Sequence, residues 1–218
     1  MTDAVAIVLA AGSGDRLGAD LPKAFVPLGD RPLILHAVDT VLASRAIDRV
    51  VVAVPDGWEA RVRALLDPRC DVVVGGATRR ASTLLALEAI GGDADVVGCH
   101  DAARPLAPPA LVDAVVEALD GVDGVVPGIP VADTLKRVEG DRVVATEPRE
   151  GLVAVQTPQA FRAAAFRDAH ARAAVDVTDD AMALELAGYR IRVIPGDAMA
   201  FKITTADDLE RARRAIGG

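Results

Sequence analysis

Positive charge is in short supply in this 218-residue chain: 24 Lys and Arg stand against 32 Asp and Glu, for a net charge of −8. Nucleic-acid binding draws on an extended cationic face that neutralises many phosphates, so the deficit excludes that class and confines any cationic site to a local cluster. Cysteine is scarce as well. Cys70 and Cys99 are the only two, without metal-motif spacing or secretory context, and they read as buried or free thiols. Long apolar runs are missing. "AVAIVLAA" (4–11) and "VVVAV" (50–54) fall far below the roughly 18 to 20 residues that span a bilayer. No charged segment leads into a signal-like core, so the expectation is a cytoplasmic protein with no membrane association. Internal repeats and low-complexity tracts are absent too, beyond a general richness in alanine.

What the chain does have is apolar material. With 51% hydrophobic residues and a mean hydropathy of +0.30, residues 1–218 are expected to bury a substantial core as a single domain. Short β-branched runs at 4–9, 48–54, 71–74, 95–100 and 123–128 read as strands buried on both faces. Between them, segments beginning near Leu33, Gly57, Arg79 and Pro108 have helical length and spacing, and Pro108-Pro109 suits a helix start. The pattern predicts an α/β fold with an open, mostly parallel, Rossmann-like sheet, in which ligands collect at the carboxyl ends of strands.

The rhythm breaks between about 130 and 150. "DTLKRV" and "RVVATE" around "EGD" read as an inserted β-hairpin, an arm in need of something to pack against. Beyond it, "LVAVQTPQAF" restores a strand, helices are expected near 161–173 and 178–187, and "RIRVIP" and "TADDLERARRAI" close the chain. Thr205 and Asp208 have the spacing of a capping box, with Asp in the usual Glu or Gln place.

Chemistry concentrates in "LAAGSGDRLGADLPKAF" (9–25), which follows the first strand. Glycines after a strand expose backbone N–H groups to phosphate oxygens. The loop lacks G-x-x-x-x-G-K-[ST], and its glycines run G-x-G-x-x-x-G, so neither the P-loop nor the dinucleotide fingerprint applies. An acidic residue about 20 positions on is missing as well: the first candidate, Asp56, lies more than twice as far from Gly12. Alone, the loop also reads as a tight turn carrying two solvated cations, Arg16 and Lys23.

The loop resembles the signature A-A-G-x-G-x-R-[MLF] with a later P-K, found in nucleotidyltransferases of the glycosyltransferase-A-like fold. Together with "GGATRRAS" (75–82), "HDAARP" (100–105), "ADTLKR" (132–137), "QTPQAF" (156–161), "TDDAMALE" (178–185) and "FKITTADDL" (201–209), it is similar in order and spacing to the methylerythritol-phosphate cytidylyltransferases of non-mevalonate isoprenoid synthesis. The resemblance spans almost the whole chain. It implies transfer of a cytidylyl group from CTP to a polyol phosphate with release of pyrophosphate. Either methylerythritol phosphate or a relative such as ribitol phosphate could be the acceptor, and a non-catalytic nucleotide-binding relative is the remaining alternative.

The resemblance also assigns residues. Arg16 and Lys23 would address the triphosphate, and Lys202 the α-phosphate and incoming phosphate. Asp101 would hold a divalent metal, Mg2+, and Arg104 is expected to orient Asp101. Ala10, Ala11, Gly76, Ala77 and Ser82 would surround the cytosine, with Gly12 and Asp101 near the ribose and Gly14 in the phosphate loop. Thr134 and Arg149 would bind the polyol phosphate, with Thr157 and Thr178 lining the site. His100 reads as structural. In the family the 130–150 arm reaches into a second subunit, so a homodimer is expected. Departures are modest: Ala24 replaces a usual Gln, and Ala200-Phe201 replace an Asn-aliphatic pair before Lys202.

Overall fold

The computed structural model describes residues 3–12, 21–173, 177 and 179–217. In chain order these form β1 (Ala4–Leu9), β2 (Pro27–Leu28), β3 (Arg31–Pro32), α1 (Leu33–Leu42), β4 (Arg49–Val54), α2 (Glu59–Arg63), β5 (Cys70–Val74), α3 (Arg79–Ile90), β6 (Val96–Asp101), α4 (Pro109–Glu117), β7 (Gly124–Pro130), β8 (Leu135–Glu139), β9 (Arg142–Glu147), β10 (Val153–Val155), β11 (Gln159–Arg162), α5 (Ala163–Arg172), α6 (Asp180–Leu186), β12 (Ile191–Pro195) and α7 (Ala206–Ile216).

Among the described residues the main sheet has eight strands in the order β10-β7-β11-β6-β1-β4-β5, with β12 also paired to β7. Strands β5, β4, β1 and β6 pair in parallel, and β12 pairs in parallel with β7. Of these eight, only β10 and β11 run against their neighbours, so the expected mostly parallel sheet is present. β1 lies at its centre because both of its faces are apolar. Ala4, Ala6 and Val8 join a core with α1, α2 and α4, while Val5 and Ile7 join a second core with α3, α5 and α6. The period-2 alternation of side chains therefore distributes one strand between two helical layers.

The segment "LVAVQTPQAF" is not one strand. It divides into β10 and β11 on either side of Gln156–Pro158, with a cis bond between Thr157 and Pro158. Pro158 has no N–H for a ladder, and Gln156 turns inward. Its amide accepts from the Asp197 N–H at 3.0 Å and donates to the Asp197 carbonyl at 2.8 Å, pinning the segment that leads to Lys202.

The hairpin forms as read, with Leu135 paired to Glu147 and an irregularity between Arg137 and Val138. Gly140 closes its turn at φ +62°, a left-handed conformation suited to glycine. Val138 and Val143 on this arm are each 57% exposed, an apolar surface that the other described residues leave in solvent. The capping box of α7 is also present: the Thr205 hydroxyl accepts from the Asp208 N–H, and the Asp208 carboxylate from the Thr205 N–H. Leu209 and Ala212 of this helix pack with Ile203, Val26, Leu28 and Leu33, tying the Lys202 segment to the body.

Candidate active site

A cavity of about 570 Å³ opens at the carboxyl ends of β1, β5 and β6, where an open parallel sheet gathers its ligands. Ala10, Ala11 and Gly12 line it from the end of β1, and Lys23 and Ala24 from the turn before β2. Gly76, Ala77, Thr78, Arg79 and Ser82 contribute from the β5–α3 junction, Asp101 from β6, and Lys202 from the segment before α7.

The β5–α3 junction is a tightly held turn. A Cβ on Gly75 would stand 2.4 Å from the Ala11 Cβ, and one on Gly76 would stand 2.4 Å from the Ala81 Cβ. Only glycine permits both approaches. Ser82 accepts from the Gly76 N–H at 3.1 Å, and its own hydroxyl lies within hydrogen-bonding distance of the Gly76 and Thr78 carbonyls. Its hydroxyl thus shapes the turn that carries the expected base contacts. Thr78 caps α3 by accepting from the Ala81 N–H.

Charge centres on Asp101, which is 8% exposed. Its Oδ2 lies 2.7 Å from Lys202 Nζ, and its Oδ1 lies 3.4 Å from Arg79 Nε. Burial alone would raise the Asp101 pKa, but the Arg79 guanidinium and Lys202 ammonium outweigh it and hold the carboxyl well below the usual carboxylate range. Thr157 sits underneath, buried, with its hydroxyl accepting from the Asp101 N–H at 3.0 Å and 3.2 Å from His100 Nδ1. It supports the site's floor and does not line the cavity.

Arg104, expected to orient Asp101, acts on that carboxyl through its charge, behind Arg79 and Lys202, but directs its guanidinium hydrogen bonds elsewhere. Its Nη1 donates to the Ala200 carbonyl at 2.7 Å and its Nη2 to the Val155 carbonyl at 3.4 Å, so it braces the Lys202 segment. Arg79 occupies the role instead and was missed. Its sequence signal was two adjacent arginines in the first turn of a helix, where the macrodipole disfavours cations unless partners hold them. Arg80 finds its partners in the carbonyls of His170 and Ala173 at the end of α5, at 2.7 and 3.0 Å.

Lys23 extends from a short helical turn, Lys23–Phe25, whose Ala24 and Phe25 are buried. Burial pushes the nearby Asp208 carboxyl up, hydrogen bonds from Thr204 and Thr205 outweigh it and lower its pKa, and the Lys23 charge adds a smaller push in the same direction. Thr134 and Arg149 are exposed on the arm, where Arg149 donates to the Ala132 carbonyl. Neither is among the residues lining this chain's own cavity. Gly14, Arg16 and Thr178 lie outside the described residues.

His100 is structural, as expected, and gives the fold a pH dependence. Burial lowers its pKa from 6.5 to about 4, only partly countered by Asp101. Between those values the unfolded chain binds the extra proton, so stability rises with pH across the window and is lost as pH falls from about 6.5 towards 4. In metal-free buffer, His100→Gln is expected to remove on the order of 3 kcal/mol of that pH dependence. Urea unfolding of both proteins from pH 4 to 7 checks this; parallel stability curves would refute it.

Comparison with known proteins places the site in a family. Residues 4–217 match the family model described as 2-C-methyl-D-erythritol 4-phosphate cytidylyltransferase. A protein of that name from Frankia casuarinae is 48% identical over 213 residues, covering 97% of this chain and 80% of the relative. Another from Rhodococcus jostii is 48% identical over 214 residues, covering 97% and 94%. The crystal structure of a protein of the same name from Thermus thermophilus superposes with a TM-score of 0.81 at 34% identity, covering 97% of this chain and 98% of that one.

Proposed function

This chain belongs to the 2-C-methyl-D-erythritol 4-phosphate cytidylyltransferase family, and we propose that it joins CTP to 2-C-methyl-D-erythritol 4-phosphate in isoprenoid precursor synthesis. The products are 4-diphosphocytidyl-2-C-methyl-D-erythritol and pyrophosphate. An oxygen of the acceptor's phosphate attacks the α-phosphorus of CTP, and the bond to the pyrophosphate oxygen breaks with its electron pair. That nucleophile is already ionised at neutral pH, so no general base is required. The obstacle is electrostatic: two polyanions must meet, and further charge builds on the leaving group.

One observation carries this reading: a carboxylate between two cations, Asp101 with Arg79 and Lys202, stands in a cavity beside the glycine turn. Lys202, with 42% of its side chain exposed, is placed to exchange Asp101 for a substrate phosphate. Arg16 and Lys23 are assigned to the triphosphate, with Gly14 in the same loop. Ala10, Ala11, Gly76, Ala77 and the Ser82-held turn surround a pyrimidine, with Gly12 near the ribose. Thr134 and Arg149 of the arm are assigned to the acceptor's phosphate in a second copy's site, which makes the working enzyme a homodimer. Thr178 is assigned to the lining of the same site, and the cytoplasm is the expected compartment. No described helix is long and apolar enough to cross a membrane.

Asp101 fits a magnesium ion as a single oxygen donor. Among the described residues its Oδ1 is engaged only by the 3.4 Å contact with Arg79, and magnesium often takes one or two protein carboxylates beside phosphate oxygens and water. No group of three or more potential His, Cys, Asp or Glu ligands occurs among the described residues, so the nucleotide would complete the coordination. When bound, the ion neutralises phosphate charge. Asp101→Asn is therefore expected to lose turnover at limiting magnesium, and a rate within about twofold of wild type would remove the assignment.

Product identification tests the reaction. CTP is supplied with methylerythritol phosphate or ribitol 5-phosphate, and products are read by mass spectrometry. The cytidylylated methylerythritol product is expected. Preference for ribitol phosphate would reassign the acceptor, and no pyrophosphate release with either would leave a nucleotide-binding protein.

A further inference from the structure

The segment "TDDAMALE" contributes more than a helix start. Asp180 is fully buried, in an interior where an unpaired carboxylate is costly, and residues from two other helices surround it. Arg79 Nη1 of α3 lies 2.7 Å from its Oδ2, Thr83 of α3 donates to its Oδ1 at 3.3 Å, and His170 Nε2 of α5 lies 3.3 Å from the same oxygen. The neighbouring Asp179 caps α6 by accepting from the Met182 N–H at 3.0 Å. Asp180 is thus enclosed by side chains of α3 and α5, and it is ion-paired with one end of Arg79.

The other end of that guanidinium reaches Asp101 at 3.4 Å. The two cations on Asp101 therefore differ in kind. Lys202 is a flexible, partly exposed point charge, whereas Arg79 is a planar fork with 24% of its side chain exposed. Under the reaction proposed above, on which this inference rests, phosphate draws Lys202 away from Asp101. Something must then keep the carboxylate in place.

We propose that Arg79 is a positioning residue, anchored by buried Asp180, that holds the Asp101 carboxylate in place and balances its charge while Lys202 is engaged by substrate phosphate. Arg79 acts through Asp101, and Asp180 acts through Arg79. Both carboxylates need the bridge, because each would otherwise lose its closest guanidinium contact.

The test removes the bridge without leaving a buried charge. In the double variant Arg79→Gln/Asp180→Asn, kcat is expected to fall on the order of 10-fold or more while the KM for CTP stays within about twofold. If the effect passes through Asp101, adding Asp101→Asn to the double variant should make it no slower than Asp101→Asn alone, since residues acting as a unit are not additive. With Lys202→Ala added to withdraw the second cation, crystals of the ligand-free double variant should show the Asp101 carboxylate displaced by more than about 0.5 Å from its place in Lys202→Ala alone, the tolerance of a productive site. Losses that multiply, or an Asp101 that stays in place, would overturn the proposal. Should the double variant fail to fold, Arg79→Lys carries the same readouts, because an ammonium cannot span both carboxylates. If wild type turned over neither polyol phosphate, the reaction reading would fail, and the crystal comparison would still decide what holds Asp101.

Discussion

Lys23→Ala is expected to lower kcat on the order of 10²-fold or more, the scale of losing one preorganised donor to a developing anion. The cation is held in advance of the reaction. The Phe25 N–H donates to the Pro22 carbonyl at 2.8 Å and the Val26 N–H to the Lys23 carbonyl at 3.1 Å, and Phe25 packs against Trp58 with ring centroids 3.9 Å apart. The backbone under Lys23 is thus fastened to its neighbours before substrate binds. Arg16→Ala is expected to have an effect of the same order. Steady-state kinetics with CTP varied separate two outcomes. Loss in kcat marks stabilisation specific to the transition state, whereas a rise confined to KM would mark uniform binding and demote the residue to a ligand contact.

Mixing two nearly inactive proteins should restore activity if the arm serves a second copy. Each site would then take Lys23 from one chain and Arg149 from the other. In a mixed dimer of Lys23→Ala and Arg149→Ala chains, one site carries both lesions and the other carries neither. Random assortment makes about half the dimers mixed, so co-refolding should recover about a quarter of wild-type activity, as a two-fold interface requires. Differently tagged chains establish that the subunits exchange. No rescue in verified mixed dimers would mean that Arg149 acts within its own chain. The exposure of Val138 and Val143 on the arm and the absence of Thr134 and Arg149 from the lining of their own chain's cavity both favour rescue.

The sequence alone determined the layered α/β architecture, because fully apolar β-branched strands must be covered on both faces. It also determined the hairpin, whose turn and exposed arms are local features, and the α7 cap, whose two partners lie three residues apart. Lys23, Asp101 and Lys202 were legible through motif resemblance, and the structure brings all three to one cavity. Tertiary structure alone decided what each of them touches. The break between β10 and β11 depends on how Gln156 reaches Asp197 across the fold. The direction of Arg104 depends on carbonyls at 155 and 200, far from it in sequence. Arg79 was invisible as a partner of Asp101 and Asp180 because those contacts span 22 and about 100 positions. Local periodicity records which face of an element is buried; which charges meet across the sheet's carboxyl edge is set by the packing of α3, α5 and α6 on one side of it.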